Sequence, residues 1–151
     1  MKRRAGFTLV ELMVVVAILG ILGATAVPLL KTWQQRAYGS EAAVMIKRIL
    51  DAEVMYFLEN DEFFPEVDGA QIFIFHNDSP SKQEIADVKN ALNVPIPVGH
   101  FLDFTITNLP GLACMVTVSS FQGSYALFKG GTTSITGTAD STGNVYIQKV
   151  Y

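Results

Sequence analysis

Glu11 is the residue of this chain whose setting most needs a chemical explanation. Nineteen uncharged residues follow it, from Leu12 to Leu30, and counting back to Phe7 gives 24 residues interrupted only by this carboxylate. An acid inside so apolar a stretch costs roughly 2.5 to 3.5 kcal/mol at the centre of a membrane helix and less near its end. It therefore marks a functional site and calls for a positive partner. No Lys or Arg lies within reach on the same helix except the short basic run Lys2, Arg3 and Arg4 ahead of it. A new terminal amine, created by cutting the chain just before the apolar stretch, would supply the missing charge.

The other chemistry-bearing residues form no such constellation. His76 and His100 are far apart and flank no paired Cys or carboxylate at ligand spacing, and Cys114 is alone, so neither metal binding nor an intrachain disulfide is expected. Cys114 reads as a small buried strand residue. The acidic run Glu59, Asp61, Glu62, Glu66 and Asp68 reads as a solvated loop rather than a calcium site, and Asp140 to Asn144 as a turn. Neither G-x-S-x-G nor a Gly-rich phosphate loop is present, so no enzyme and no cofactor is expected. Asn77-Asp78-Ser79 matches a glycosylation sequon, a short pattern with many chance matches.

Charge narrows the partners. The chain carries 11 basic and 14 acidic side chains, a formal net charge of -3; without Lys2, Arg3 and Arg4 it has 8 against 14, or -6. Phosphate contacts need clustered cations, and only Lys47 and Arg48 adjoin, so no direct nucleic-acid partner is expected.

The elements that must position Glu11 follow from hydropathy. As a helix, 24 residues at 1.5 Å each reach about 36 Å, enough to cross a hydrocarbon core of roughly 30 Å. The basic residues ahead of the span place the N-terminus in the cytoplasm and the remainder outside it. A rival reading takes Met1 to Ala26 as a disposable signal peptide ending at Ala24-Thr25-Ala26. Glu11 counts against it, because a segment that is discarded has no use for an acid in its apolar run.

Gly6-Phe7-Thr8-Leu9-Val10-Glu11 resembles the processing motif of type IV prepilins and of type II secretion pseudopilins. The resemblance rests on the basic leader, a small residue before the cut, Phe after it, a glutamate four residues on, and the long apolar run. It implies cleavage between Gly6 and Phe7 by a membrane aspartic peptidase, which also methylates the amine of Phe7. Glycine leaves the backbone at the cut unencumbered. The resemblance further implies that Glu11 pairs with the amine of a neighbouring subunit and sets the axial register of a filament; pairing with Phe7 of its own chain, four residues away, is the local competitor. Gly20, Gly23 and Pro28 carry a second point of likeness, since family members loosen the helix between a glycine and a proline when packed. A tolerated kink is the plain alternative.

Beyond the span the helical pattern continues, with Ala42, Met45, Ile49, Ala52 and Tyr56 on one stripe and Glu41, Lys47, Arg48, Asp51 and Glu59 available for the wet side. A single helix of about 52 residues from Phe7 to Leu58 would be roughly 78 Å long, so its first half should protrude from so small a domain. Asn60-Asp61 ends it, and Phe63-Phe64-Pro65 begins a connecting region. Ser79-Pro80 and Ser81 to Glu84 offer a cap and capping box for a short helix over 81–92. From His100 the period becomes two: Leu102, Phe104 and Ile106 alternate with Asp103, Thr105 and Thr107, and Cys114, Val116 and Val118 repeat the pattern. Tyr125 to Lys129, Ser134 to Ala139 and Asn144 to Val150 supply further strand candidates. The expected class is α+β, with the second half of the long helix packed on a four- or five-stranded antiparallel sheet, as in the pilin fold.

The expected organisation is a leader over 1–6, a transmembrane and filament-core helix over 7–30, and an exported domain over 31–151. The expected function is that of a type IV pilus subunit, anchored in the inner membrane by one span before assembly and then part of a surface filament of identical copies for adhesion, motility or uptake. Its expected partners are prepilin peptidase, an inner-membrane assembly platform, membrane lipid and further copies of itself. A pseudopilin that builds a short periplasmic filament for protein export is the alternative.

Overall fold

The computed structural model describes residues 6–76, 81–97, 101–123, 125–128 and 130–148. Lys2, Arg3, Arg4, the Asn77-Asp78-Ser79 sequon, the Ser79-Pro80 cap, His100, Lys129 and Val150 lie outside the described residues. The chain divides into two units, Met1–Gln34 and Gln35–Tyr151.

One helix, α1, runs Leu9–Asn60. In the second unit it turns one stripe inward: Gly39, Ala42, Met45, Ile46, Ile49, Leu50 and Glu53 are buried, with Ala52 and Tyr56 partly so. Lys47, Arg48, Asp51 and Glu59 are exposed as expected, and Lys47 pairs with Asp51 at 3.2 Å, one helical turn away. The helix stops where Asp61 takes a positive φ of 59° and its N–H bonds to Phe57 O at 2.8 Å.

Five strands follow: β1 Gln71–Ile74, β2 Leu102–Leu109, β3 Ala113–Ser120, β4 Ser134–Asp140 and β5 Val145–Ile147. They pair in chain order, every pair antiparallel. Ile106, Val116, Gly137 and Ile147 stand side by side across β2 to β5, with Phe104, Val118 and Ile135 in the next row. These rows and the α1 stripe form one core, in which Cys114 is fully buried. Two glycines permit close approach. A Cβ on Gly137 would lie 2.6 Å from Leu50 Cδ1, and one on Gly39 would lie 2.3 Å from Leu127 O.

The second helix, α2, spans Ser81–Leu92 as expected and buries Ser81, Val88 and Leu92. Ser81 Oγ accepts the Phe75 N–H at 2.8 Å, so its hydroxyl ties the helix start to the end of β1.

The structure corrects several sequence expectations. Residues 125–128 are not a strand: Leu127 is buried, its N–H and that of Phe128 both donate to Thr132 O, and Gln35 Nε2 donates to Phe128 O at 2.6 Å. This apolar run docks on α1 instead of joining the ladder. β1 lies in the stretch expected to be a connection, and β5 is shorter than the expected Asn144 to Val150. Asp103 and Thr107, which alternate with the apolar residues of β2, are buried as well. Asp103 Oδ1 accepts the His76 N–H at 2.9 Å from the chain that follows β1.

Candidate functional site on the N-terminal helix

The start of α1 is built by Thr8 and Glu11. Thr8 precedes the first helical residue and acts as its N-cap, with Glu11 three positions on. Thr8 N–H and Thr8 Oγ1–H donate to Glu11 Oε2 at 2.8 and 2.7 Å, and Glu11 N–H donates to Thr8 Oγ1 at 3.3 Å. This is a reciprocal capping box. It explains why the helix begins at Leu9 and not at Phe7: Thr8 must leave helical geometry for its hydroxyl to meet the orphan N–H groups. A carboxylate is also favoured at this end by the helix dipole.

Among the described residues, then, Glu11 is engaged by Thr8. Sequence reasoning missed Thr8, although the T-x-x-E spacing that announces a capping box stands in the sequence.

Gly6 and Phe7 lie just outside the helix; Phe7 is 82% exposed, and a Cβ on Gly6 would meet nothing within 4 Å. The structure keeps Gly20 and Pro28 away from this cluster, about 14 and 26 Å along the axis from Glu11 at 1.5 Å per residue. The helix runs unbroken through Gly20, Gly23 and Pro28. Pro28 has no N–H for the carbonyl of Ala24 one turn earlier. Thr25 Oγ1 donates to Leu22 O at 2.9 Å and Thr32 Oγ1 to Pro28 O at 3.1 Å, side-chain bonds that bend helices. A Cβ on Gly20 or Gly23 would meet nothing within 4 Å.

From Leu9 to Leu30 every large apolar side chain is exposed, and the helix is long and apolar enough to cross a membrane. The aromatic residues beyond it behave differently. Tyr38 meets Phe101 edge-on at 5.5 Å, Tyr56 meets Phe64 at 5.9 Å and Phe57 stacks on Phe63 at 4.7 Å, each inside its own domain. Trp33 is 63% exposed.

The remaining candidates are structural. Asp140 Oδ1 accepts the Thr142 hydroxyl and the N–H groups of Asn144 and Thr142, these two at 3.1 and 2.9 Å, and shapes the β4–β5 turn; the bonds, that of the Thr142 hydroxyl foremost, hold its carboxyl below the usual range. His76 packs against Phe121 and Phe101, with ring centroids 4.2 and 5.3 Å away. Among the described residues no group of three or more His, Cys, Asp or Glu could hold a metal ion.

The family described as the prokaryotic N-terminal methylation motif matches residues 1–27. The type IV major pilin protein PilA of Myxococcus xanthus is 46% identical over 61 residues, 40% of this chain and 28% of that protein. A fimbrial protein of Neisseria meningitidis serogroup B is 43% identical over 58 residues, covering 38% of this chain and 34% of that one. A fimbrial protein of Pseudomonas aeruginosa is 40% identical over 62 residues, 41% of this chain and 40% of its own length. The chain thus spans 28% to 40% of the length of these curated relatives. No solved structure matches it significantly. The chain thus matches the N-terminal methylation motif over residues 1–27 and is similar, over 38% to 41% of its length, to type IV major pilins and fimbrial proteins.

Proposed function

We propose that this chain is the structural subunit of a type IV pilus. Prepilin peptidase cuts between Gly6 and Phe7 and methylates the new amine of Phe7, and the apolar helix then polymerises into a surface filament. Residues 1–6 serve as the leader, 7–30 as the membrane and filament-core helix, and 31–151 as the exported domain. Before assembly the helix is a single span of the inner membrane with its N-terminus in the cytoplasm. An inner-membrane assembly platform then transfers it from lipid to a bundle of identical helices at the cell surface.

The observation that carries this reading is the exposed apolar face of α1 from Leu9 to Leu30, headed by a carboxylate that Thr8 already satisfies. An apolar helix whose large side chains are all exposed needs lipid first and other helices later. Glu11 can sit at its cytoplasmic end while the subunit waits, because two Thr8 donors share its charge. In the filament the methylated amine of a neighbouring Phe7 is the stronger partner, since a buried ion pair attracts strongly and a lone buried charge is penalised. Gly20 and Pro28 then lower the cost of unwinding the helix between them as neighbours pack.

Glu11→Ala tests the reading. The precursor is expected to insert and be processed normally, while filament yield falls by at least about tenfold through loss of the register-setting pair. Normal yield from that variant would remove Glu11 from the mechanism.

A further inference from the structure

Glu53 has no part in the proposed polymerisation, yet it is fully buried on the core stripe of α1. Its Oε2 accepts the Phe64 N–H at 3.0 Å, and its Oε1 is buried with no hydrogen-bond partner. The segment it grips is gripped from the other side by Asn108 of β2, whose Nδ2 donates to Phe63 O at 3.1 Å and to Pro65 O at 2.8 Å. Phe63, buried between these contacts, stacks on Phe57 of α1. The chain leaving the long helix is therefore clasped at three successive residues by two polar side chains.

The two halves of the clasp differ in chemistry. Asn108 is neutral at any pH, whereas Glu53 is an acid with a single donor and one unmatched oxygen. The titratable groups around it are Tyr56 of α1 and Cys114 of β3, with Glu62 and Glu66 of the following segment acting on Tyr56 beside it. None of these is a cation. Burial pushes Glu53 up to about 8, opposed only by the Phe64 N–H, while burial first of all pushes Tyr56 and Cys114 to about 12, so those two stay neutral. An ionised Glu53 would hold the Phe64 N–H more tightly, but one N–H does not replace the hydration that two carboxylate oxygens lose on burial.

We propose that Glu53 is a proton-dependent latch: with its proton in place the carboxyl keeps the Phe63–Pro65 segment closed on α1, and loss of the proton opens that contact to water. The direction follows from linkage. A carboxyl raised from 4.5 to about 8 in the folded domain contributes stability that is complete below 4.5 and is lost as pH rises through about 8. Opening begins at Phe64 because its N–H is the atom held by the ionising group, while Asn108 keeps its two carbonyls.

The full chain in detergent micelles allows the test. Carboxyl carbon NMR of Glu53 and amide exchange at Phe64 are followed from pH 6 to 9, with exchange corrected for its intrinsic pH dependence and referred to the Val116 amide in the sheet. A carboxyl midpoint near 8 is expected, with protection at Phe64 about tenfold lower at pH 9 than at pH 7. In Glu53→Gln, which keeps an acceptor but cannot ionise, protection should not change with pH. Ionisation of Glu53 complete by pH 6, or the same loss of protection in the glutamine variant, overturns the latch. Should that variant fail to fold, the carboxyl titration of the unaltered chain decides alone.

Discussion

Thr8 and Glu11 satisfy each other at the start of α1: the hydroxyl and N–H of Thr8 both reach Glu11 Oε2, at 2.7 and 2.8 Å, and the Glu11 N–H returns to the Thr8 hydroxyl. In the proposed filament this local box is the state that the neighbour's amine must outcompete. Thr8 thus belongs to the energetics of the waiting subunit as much as Glu11 does.

Thr8→Ala removes the cap and leaves the Glu11 N–H unmatched. Loss of such a cap costs about 1 kcal/mol, so the Glu11 amide should exchange about fivefold faster in detergent-solubilised chain. Thr8→Ser should restore the slower rate. An unchanged rate in the alanine variant would show that the box does not hold the helix end in solution.

Gly39 and Gly20 should respond oppositely to alanine. At Gly39 the new methyl meets the Leu127 carbonyl at 2.3 Å, a backbone atom that cannot swing aside, and overpacking of this kind costs about 1 to 3 kcal/mol. The thermal unfolding midpoint should then fall by roughly 3 to 4 °C per kcal/mol. Gly20→Ala meets nothing, so the same measurement should show no loss. A thermal midpoint unchanged by Gly39→Ala would contradict the close approach of α1 to the 125–128 segment.

Asn108→Ala strips the donors from Phe63 O and Pro65 O. At about 0.5 to 1.5 kcal/mol net for each bond, urea unfolding should register a loss of roughly 1 to 3 kcal/mol. If stability is unchanged, Asn108 does not anchor the segment after α1.

Cys114 should be inert while the domain is folded. Its thiol is enclosed and pushed up to about 12, so the thiolate fraction at pH 8 is about a thousandfold below that of an ordinary cysteine. An aromatic disulfide reagent should label it only after denaturant is added. Rapid labelling in native conditions would mean that the strand opens.

The sequence alone determined the long helix, its amphipathic second half, α2, and the strands around 102–107, 114–118 and 134–139, because each repeats a local period over enough residues to be read without neighbours. It also placed Glu11 in an apolar run, where a lone charge stands out, and held the Thr8 capping signal unread. Tertiary structure alone decided the rest. The run at 125–128 is as apolar as a strand, but Gly39 opens room for it on α1, so it packs there. β1 is four residues long and owes its state to pairing with β2. Glu53 sits at a stripe position where an apolar residue would serve, and becomes a buried acid because Phe64 supplies an N–H from eleven residues away. Periodicity records which side of an element faces inward; it does not record what is waiting there, and that is set by contacts between residues distant in the chain.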